Sequence, residues 1–132
     1  MTGVLVADPD KISRTRLAGL LREQTDAVVY EAEDGPGALG IGLQLRPAVA
    51  LLDLDLPRLG GPDVARTLLN LDPWMRIALH GSEPRARHDR ASGLGLPMLE
   101  KVDTDALVEW AVAQIRWWTA HRDGGRRLSL RT

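Results

Sequence analysis

Short runs of apolar residues alternate along this chain with segments in which apolar residues recur every three or four positions. The apolar runs begin near residues 4, 27, 49, 76 and 96, and their length and their Val and Leu content are typical of strands buried on both faces of a parallel sheet. The segments between them have helical periodicity. This alternation predicts an α/β fold, a doubly wound parallel sheet of five strands flanked by five helices.

The last third of the chain predicts two of those helices. Residues 82–90 contain few apolar residues and predict a helix that buries little surface against the rest of the domain. The final helix is expected over about residues 103–121, with Gly124 and Gly125 ending it. We therefore predict one domain over residues 1–121 and a basic, disordered tail over 122–132.

Composition narrows the function classes. Seventeen basic against eighteen acidic side chains give a net charge of −1, which provides no bulk attraction for nucleic acid or a membrane surface. The chain has no cysteine, so disulfides and thiolate metal sites are excluded. The first residues of the chain predict a strand rather than a signal sequence. No apolar stretch approaches the ~20 residues that span a bilayer. A cytoplasmic protein is expected.

Two acids stand where apolar runs end. Asp8 follows the first run and Asp53 ends the third, while Lys101 follows the fifth. Because the carboxyl ends of neighbouring parallel strands line one crevice, we expect these side chains to converge there. Either aspartate alone would be explained as well by a helix cap or a turn. The three together favour a binding site.

The chain resembles the response-regulator receiver domains of two-component signalling. The likeness rests on the segments Val-Leu-Val-Ala-Asp-Pro-Asp (4–10) and Leu-Leu-Asp-Leu-Asp-Leu-Pro (51–57), on Gly61 and on Lys101, and it covers residues 3–120. The fold that it implies is flavodoxin-like and CheY-like, with strand order 2-1-3-4-5 and five helices.

The resemblance also implies roles for single residues. Asp53 matches the aspartate that accepts a phosphoryl group from a histidine kinase. Mg²⁺ would be held by Asp8, Asp53 and the backbone carbonyl of Asp55, and Lys101 would contact the phosphoryl oxygens. A receiver is not otherwise an enzyme, so the expected chemistry is at most self-phosphorylation and dephosphorylation at Asp53.

The sequence departs from the family pattern within this pocket. Pro9 stands where the family has a second acid, which Asp10 could replace unless it caps the first helix. His80 stands where the family has Ser or Thr, and it can still donate a hydrogen bond to a phosphoryl oxygen. On the fifth strand Met98 replaces the aromatic switch residue, and Val102 replaces the proline after the lysine.

Two interpretations of the pocket compete. In the first, the protein is a pseudo-receiver, a single-domain regulator with weakened or absent phosphorylation of Asp53 that acts through protein contacts. In the second, it is a working receiver with a weak Mg²⁺ site. We favour the first, because Mg²⁺ depends on few dedicated carboxylates and one is missing. No effector domain fits in the remaining residues, so the output is expected to be another protein unless the chain is a fragment.

Two other chemistries are weaker alternatives. Asp53-Leu-Asp55 resembles the Asp-x-Asp signature of haloacid-dehalogenase-type phosphatases, but Leu56-Pro57 follows in place of Gly-Thr. A transition-metal site built from His80, Asp8 and Asp53 is chemically reasonable. No spacing signature supports that site, and a solvated His80 is the simpler expectation.

The final helix predicts an interaction surface. Trp110 and Trp117 are seven residues apart and lie on one line of the helix, away from its buried stripe, whereas Trp118 points nearer the core. Tryptophan is enriched in interface hot spots, so the two rings predict a contact face. In receivers the surface made by the preceding helix, strand five and the last helix commonly dimerises or binds partners, and the resemblance therefore implies a homodimer face there. The preceding helix adds three basic residues that could bind an acidic partner: Arg85, Arg87, Arg90. Alternatively, the two rings cover a sheet edge and the arginines are solvated.

Overall fold

The computed structural model describes residues 2–82 and 93–131, with side chains as far as residue 121. In that part of the chain, five strands and four helices follow one another as β1 (Gly3–Ala7), α1 (Lys11–Gln24), β2 (Val28–Ala32), α2 (Gly35–Leu45), β3 (Val49–Asp53), α3 (Gly61–Leu71), β4 (Arg76–Gly81), β5 (Met98–Glu100) and α4 (Thr104–Arg131). All strand pairs are parallel, and the order is β2-β1-β3-β4-β5. The predicted fold class and strand order are confirmed.

The sheet is covered on both faces because successive side chains of a strand point to opposite sides. Val4 and Val6 contribute to a cluster that includes the buried faces of α1 and α4. Leu5 contributes to a second cluster, which includes residues of α2 and α3. The central strand β3 is buried at every position. The strands β1, β3 and β4 are therefore held between two hydrophobic clusters, one on each face of the sheet.

The predicted helix over residues 82–90 lies largely outside the described residues, as do the side chains of residues 122–131. The prediction that Gly124 and Gly125 end the last helix is wrong, because α4 continues to Arg131. Each glycine costs a helix about 1 kcal/mol relative to alanine, which weakens a helix without forbidding it. The domain boundary at residue 121 and the tail beyond it stay predictions. Within the described residues, no helix has the length and apolarity needed to cross a bilayer.

Candidate functional site

Two buried carboxylates face each other across adjacent strands. Asp8 directly follows β1 and is 1% exposed, and Asp53 ends β3 and is 4% exposed. Lys101, which follows β5, lies between them. Its Nζ donates to Asp8 Oδ1 at 2.8 Å and to Asp53 Oδ2 at 2.7 Å. The structure thus brings together the three side chains that the sequence predicted to converge.

The charge of Lys101 is fixed by this contact. Burial lowers the pKa of its ammonium group, but the hydrogen bonds and charges of Asp53 and Asp8 outweigh burial, so the pKa is raised above its usual value. The lysine is therefore a permanent cation near neutral pH. It compensates part of the charge that two buried carboxylates place at the end of the sheet.

Backbone amides orient both carboxylates. The N–H of Asp10 donates to Asp8 Oδ1 at 2.9 Å, and the N–H of Asp55 donates to Asp53 Oδ1 at 2.8 Å. Each acid thus closes a tight turn two residues long, which holds its side chain in one orientation. The turn after Asp53 also places the backbone of Asp55, whose carbonyl was predicted as a metal ligand, beside the Asp53 carboxylate.

Asp10 is the N-cap of α1. Its carboxylate accepts from the backbone N–H of Ile12 at 3.0 Å and from the Ser13 hydroxyl at 2.9 Å. The Ser13 hydroxyl, and next the Ile12 amide, lower the pKa of this exposed carboxyl. These are the contacts of a helix cap. They do not support Asp10 as a replacement for the acid that the family has at the position of Pro9. Its role as a metal ligand stays a prediction without a supporting contact.

His80 is completely buried, with 0% exposure, so the expectation that it would be solvated is wrong. The apolar run of the fourth strand ends at Leu79, but β4 continues to Gly81 and places His80 in register with Asp53. Its Nδ1 lies 3.9 Å from Asp53 Oδ2. Within the described part of the chain, neither ring nitrogen has a hydrogen-bond partner.

Burial is the main influence on the charge of His80. It lowers the pKa of the imidazole, while Asp53 and Asp8 act in the opposite direction without overcoming it. The backbone of Ala7 also slightly favours the protonated ring, although it does not meet the geometry of a hydrogen bond. The ring is therefore neutral near pH 7, with one nitrogen protonated and the other carrying a lone pair.

The three buried side chains could hold a divalent ion. One ligand atom each from Asp8, Asp53 and His80 can be chosen so that all lie within 4.8 Å of one another. A cleft of about 410 Å³ is lined by Asp8, His80 and Lys101, although Asp53 does not line it. The two carboxylates suit Mg²⁺, whereas the imidazole suits transition metals.

Two residues that the sequence did not single out as functional support the site. The guanidinium of Arg14 donates to the carbonyl of Asp8 at 2.8 Å and also pairs with Glu31 at 3.4 Å. Gly61, noted only as part of the resemblance, approaches the end of β3 so closely that a Cβ would clash with the carbonyl oxygen of Asp53. The resemblance had already drawn attention to Gly61. No sequence pattern pointed to Arg14.

The predicted interface is described only in part. Arg85, Arg87 and Arg90 lie outside the described residues. Trp110 and Trp117 are partly buried and pack against the core of their own chain, and the guanidinium of Arg76 lies 4.3 Å from the centroid of the Trp117 ring. Trp118 is buried, as predicted. These contacts correspond to the alternative in which the rings cover the sheet.

Comparison with known proteins identifies the family. The model for the response regulator receiver domain matches residues 4–95. The transcriptional regulatory protein DegU of Brevibacillus brevis is 26% identical over 110 residues, which are 80% of this chain and 47% of DegU. PdtaR of Mycobacterium tuberculosis is 30% identical over 122 residues, or 89% of this chain and 60% of PdtaR. The chain thus spans about half the length of such relatives.

Solved structures show the same fold. A response regulator receiver domain protein from Clostridium thermocellum superposes with a TM-score of 0.78 at 20% identity, covering 91% of this chain and 98% of that one. A two component transcriptional regulator AraC from Clostridium phytofermentans gives a TM-score of 0.77 at 22% identity, with 93% and 98% covered. The phosphatase alternative gains no support. The chain belongs to the family of response regulator receiver domains of two-component signalling.

Proposed function

We propose that this protein is a single-domain receiver that acts through protein contacts, and in which phosphorylation of Asp53 is weak or absent. The observation that carries the proposal is the buried ring of His80, which lies 3.9 Å from Asp53 Oδ2 where the family has a small hydroxyl side chain, in a pocket where Pro9 replaces an acid. In addition, the Lys101 ammonium lies between the two remaining carboxylates, 2.8 Å from Asp8 Oδ1 and 2.7 Å from Asp53 Oδ2.

Mg²⁺ is at a disadvantage in this pocket. The ion is usually bound through one or two carboxylates, keeps several waters and demands near-octahedral geometry. Pro9 removes one acid, and the Asp10 carboxylate is engaged at the start of α1. Mg²⁺ would also compete with the Lys101 ammonium, which is already hydrogen-bonded to one oxygen of each remaining carboxylate. We therefore infer a weak Mg²⁺ site held by Asp8, Asp53 and the Asp55 carbonyl.

His80 is a second obstacle to phosphoryl transfer. Its buried ring lies 3.9 Å from Asp53 Oδ2 at the nearest nitrogen, where the family has a small hydroxyl side chain. A neutral imidazole can donate one hydrogen bond to a phosphoryl oxygen. It also fills space that Ser or Thr would leave open. In the family, the hydroxyl at this position also couples the phosphorylation site to the far face of the domain, and we propose that this coupling is lost here.

Receiver domains interact with histidine kinases and other signalling proteins, and we propose the same class of partner for this chain. No enzymatic activity beyond self-phosphorylation and dephosphorylation at Asp53 is proposed. The homodimer through the last helix stays a prediction. Gel filtration of the wild type beside Trp110→Ala tests it, and monomeric elution of both proteins would contradict it.

The proposal is tested by intact mass spectrometry after incubation with acetyl phosphate, with and without Mg²⁺. Asp53→Asn is the control, because it keeps the shape of the side chain and removes the nucleophile. We expect at most a small fraction of a single phosphoryl adduct in the wild type. A stoichiometric, Mg²⁺-dependent adduct that Asp53→Asn lacks would instead establish a working receiver.

A further inference from the structure

His80 is the one buried polar side chain of the pocket whose hydrogen-bonding atoms are unused within the described part of the chain. Both of its ring nitrogens are inaccessible to solvent and lack partners. Buried polar groups are almost always paired, so an unpaired ring beside two carboxylates needs a reason. The ring is not isolated by distance, because its Nδ1 lies 3.9 Å from Asp53 Oδ2.

We propose that Asp8, Asp53 and His80 form a binding site for a divalent transition-metal ion of the Zn²⁺ type, in preference to Mg²⁺. The site combines one nitrogen and two oxygen donors, which is a mixed set that Mg²⁺ does not favour. For such a set, affinity rises along the divalent series towards copper, and zinc stands well above manganese. The chain has no cysteine that could compete as a softer ligand.

The geometry permits this site after a small contraction. Zinc holds nitrogen and oxygen ligands at about 2.0–2.2 Å, which in a tetrahedral site leaves the ligand atoms roughly 3.4 Å apart. The candidate ligand atoms here all lie within 4.8 Å of one another. Rotation of the imidazole about its side-chain bonds and small shifts of the two aspartates would supply the remaining approach. The cleft lined by Asp8 and His80 has room for the water that would complete the coordination.

Lys101 competes with the metal. Its Nζ is hydrogen-bonded to an oxygen of each carboxylate, so an ion that takes those oxygens must displace it. The lysine can move, because its side chain is 18% exposed and lies on the wall of the open cleft. Metal binding would then free an ammonium group at the mouth of the pocket. The affinity should therefore rise when Lys101 is replaced by a residue without charge.

This proposal does not depend on whether Asp53 is phosphorylated. It concerns the free protein and is read by the spectrum of the bound ion. The absence of phosphorylation would not contradict the transition-metal site. The absence of metal binding would not contradict the proposed function.

Co²⁺ is the probe of choice, because its visible absorption reports the number and type of ligands, and Zn²⁺ serves as the competitor. The full chain is titrated with Co²⁺, then with Zn²⁺ or Mg²⁺. His80→Thr and His80→Gln remove the nitrogen ligand, and circular dichroism checks the fold of each variant. His121→Gln and His88→Gln are the matched controls, since these are the other two of the three histidines.

We expect one Co²⁺ per chain, displacement by Zn²⁺ at far lower concentration than by Mg²⁺, and at least tenfold weaker binding in both His80 variants. The His121 and His88 variants should bind as the wild type does, and Lys101→Met should bind more tightly. Absence of a Co²⁺ spectrum in the wild type and in Lys101→Met would overturn the proposal. So would binding that survives both His80 substitutions, or Mg²⁺ competing as well as Zn²⁺.

Discussion

The Nζ of Lys101 lies 2.7 Å from Oδ2 of Asp53, and the same nitrogen is bound to Asp8 at 2.8 Å. The lysine comes from the segment after β5, while Asp8 directly follows β1 and Asp53 ends β3. These two charged contacts therefore link the ends of three strands of the sheet.

Replacing this lysine should destabilise the fold. Lys101→Met leaves two carboxylates, 1% and 4% exposed, without their cation. Removing one partner of a fully buried ion pair costs about 3–5 kcal/mol, and we expect about 2–3 kcal/mol because the Lys101 side chain is 18% exposed. Urea unfolding measures the change. Lys11→Met, which removes an exposed lysine, is the control and should change the stability by less than about 0.5 kcal/mol. Equal stabilities for the two variants would refute the role of Lys101.

The stability of the protein should depend on His80 below neutral pH. Burial lowers the pKa of His80 in the folded state from its ordinary value of 6.5. The unfolded chain therefore binds the proton more readily, so the stability present above that value is progressively lost as the pH falls through the folded pKa. Urea unfolding of the wild type and of His80→Gln, from neutral pH down to about pH 5, tests this. We expect the wild type to lose more stability than the variant. Parallel pH profiles would show that His80 does not titrate differently on folding.

Two glycines of α2 should respond in opposite directions to alanine. Gly40 faces open space, so Gly40→Ala should stabilise the protein by about 0.5–1 kcal/mol through helix propensity. Gly42 packs against the buried side chain of Leu68, and an added Cβ would clash with its methyl groups. Gly42→Ala should therefore be destabilising despite the same gain in propensity. Thermal unfolding of the two variants checks the sign of each change, and stabilisation by both would show that α2 and α3 are loosely packed.

The resemblance to receiver domains implied the strand order. The apolar runs predicted the convergence of Asp8, Asp53 and Lys101, because each stands at or just beyond the end of a run and parallel strands share one carboxyl edge. The prediction failed at His80. The apolar run of β4 ends at Leu79, and periodicity assigns no strand character to His80 and Gly81 beyond it. The register between β3 and β4, which pairs Asp53 with His80, decides the burial of this ring. Pairing is a property of two distant segments and cannot be read from either alone.

We propose that Pro9 and His80 are the reason why this pocket disfavours Mg²⁺-dependent phosphorylation of Asp53. The most direct measurement compares the wild type with the double variant Pro9→Asp/His80→Thr, which restores the family residues, in the acetyl phosphate assay by intact mass. We expect little adduct in the wild type and a Mg²⁺-dependent adduct in the double variant that disappears when Asp53→Asn is added. A full, Mg²⁺-dependent adduct already present in the wild type would contradict it.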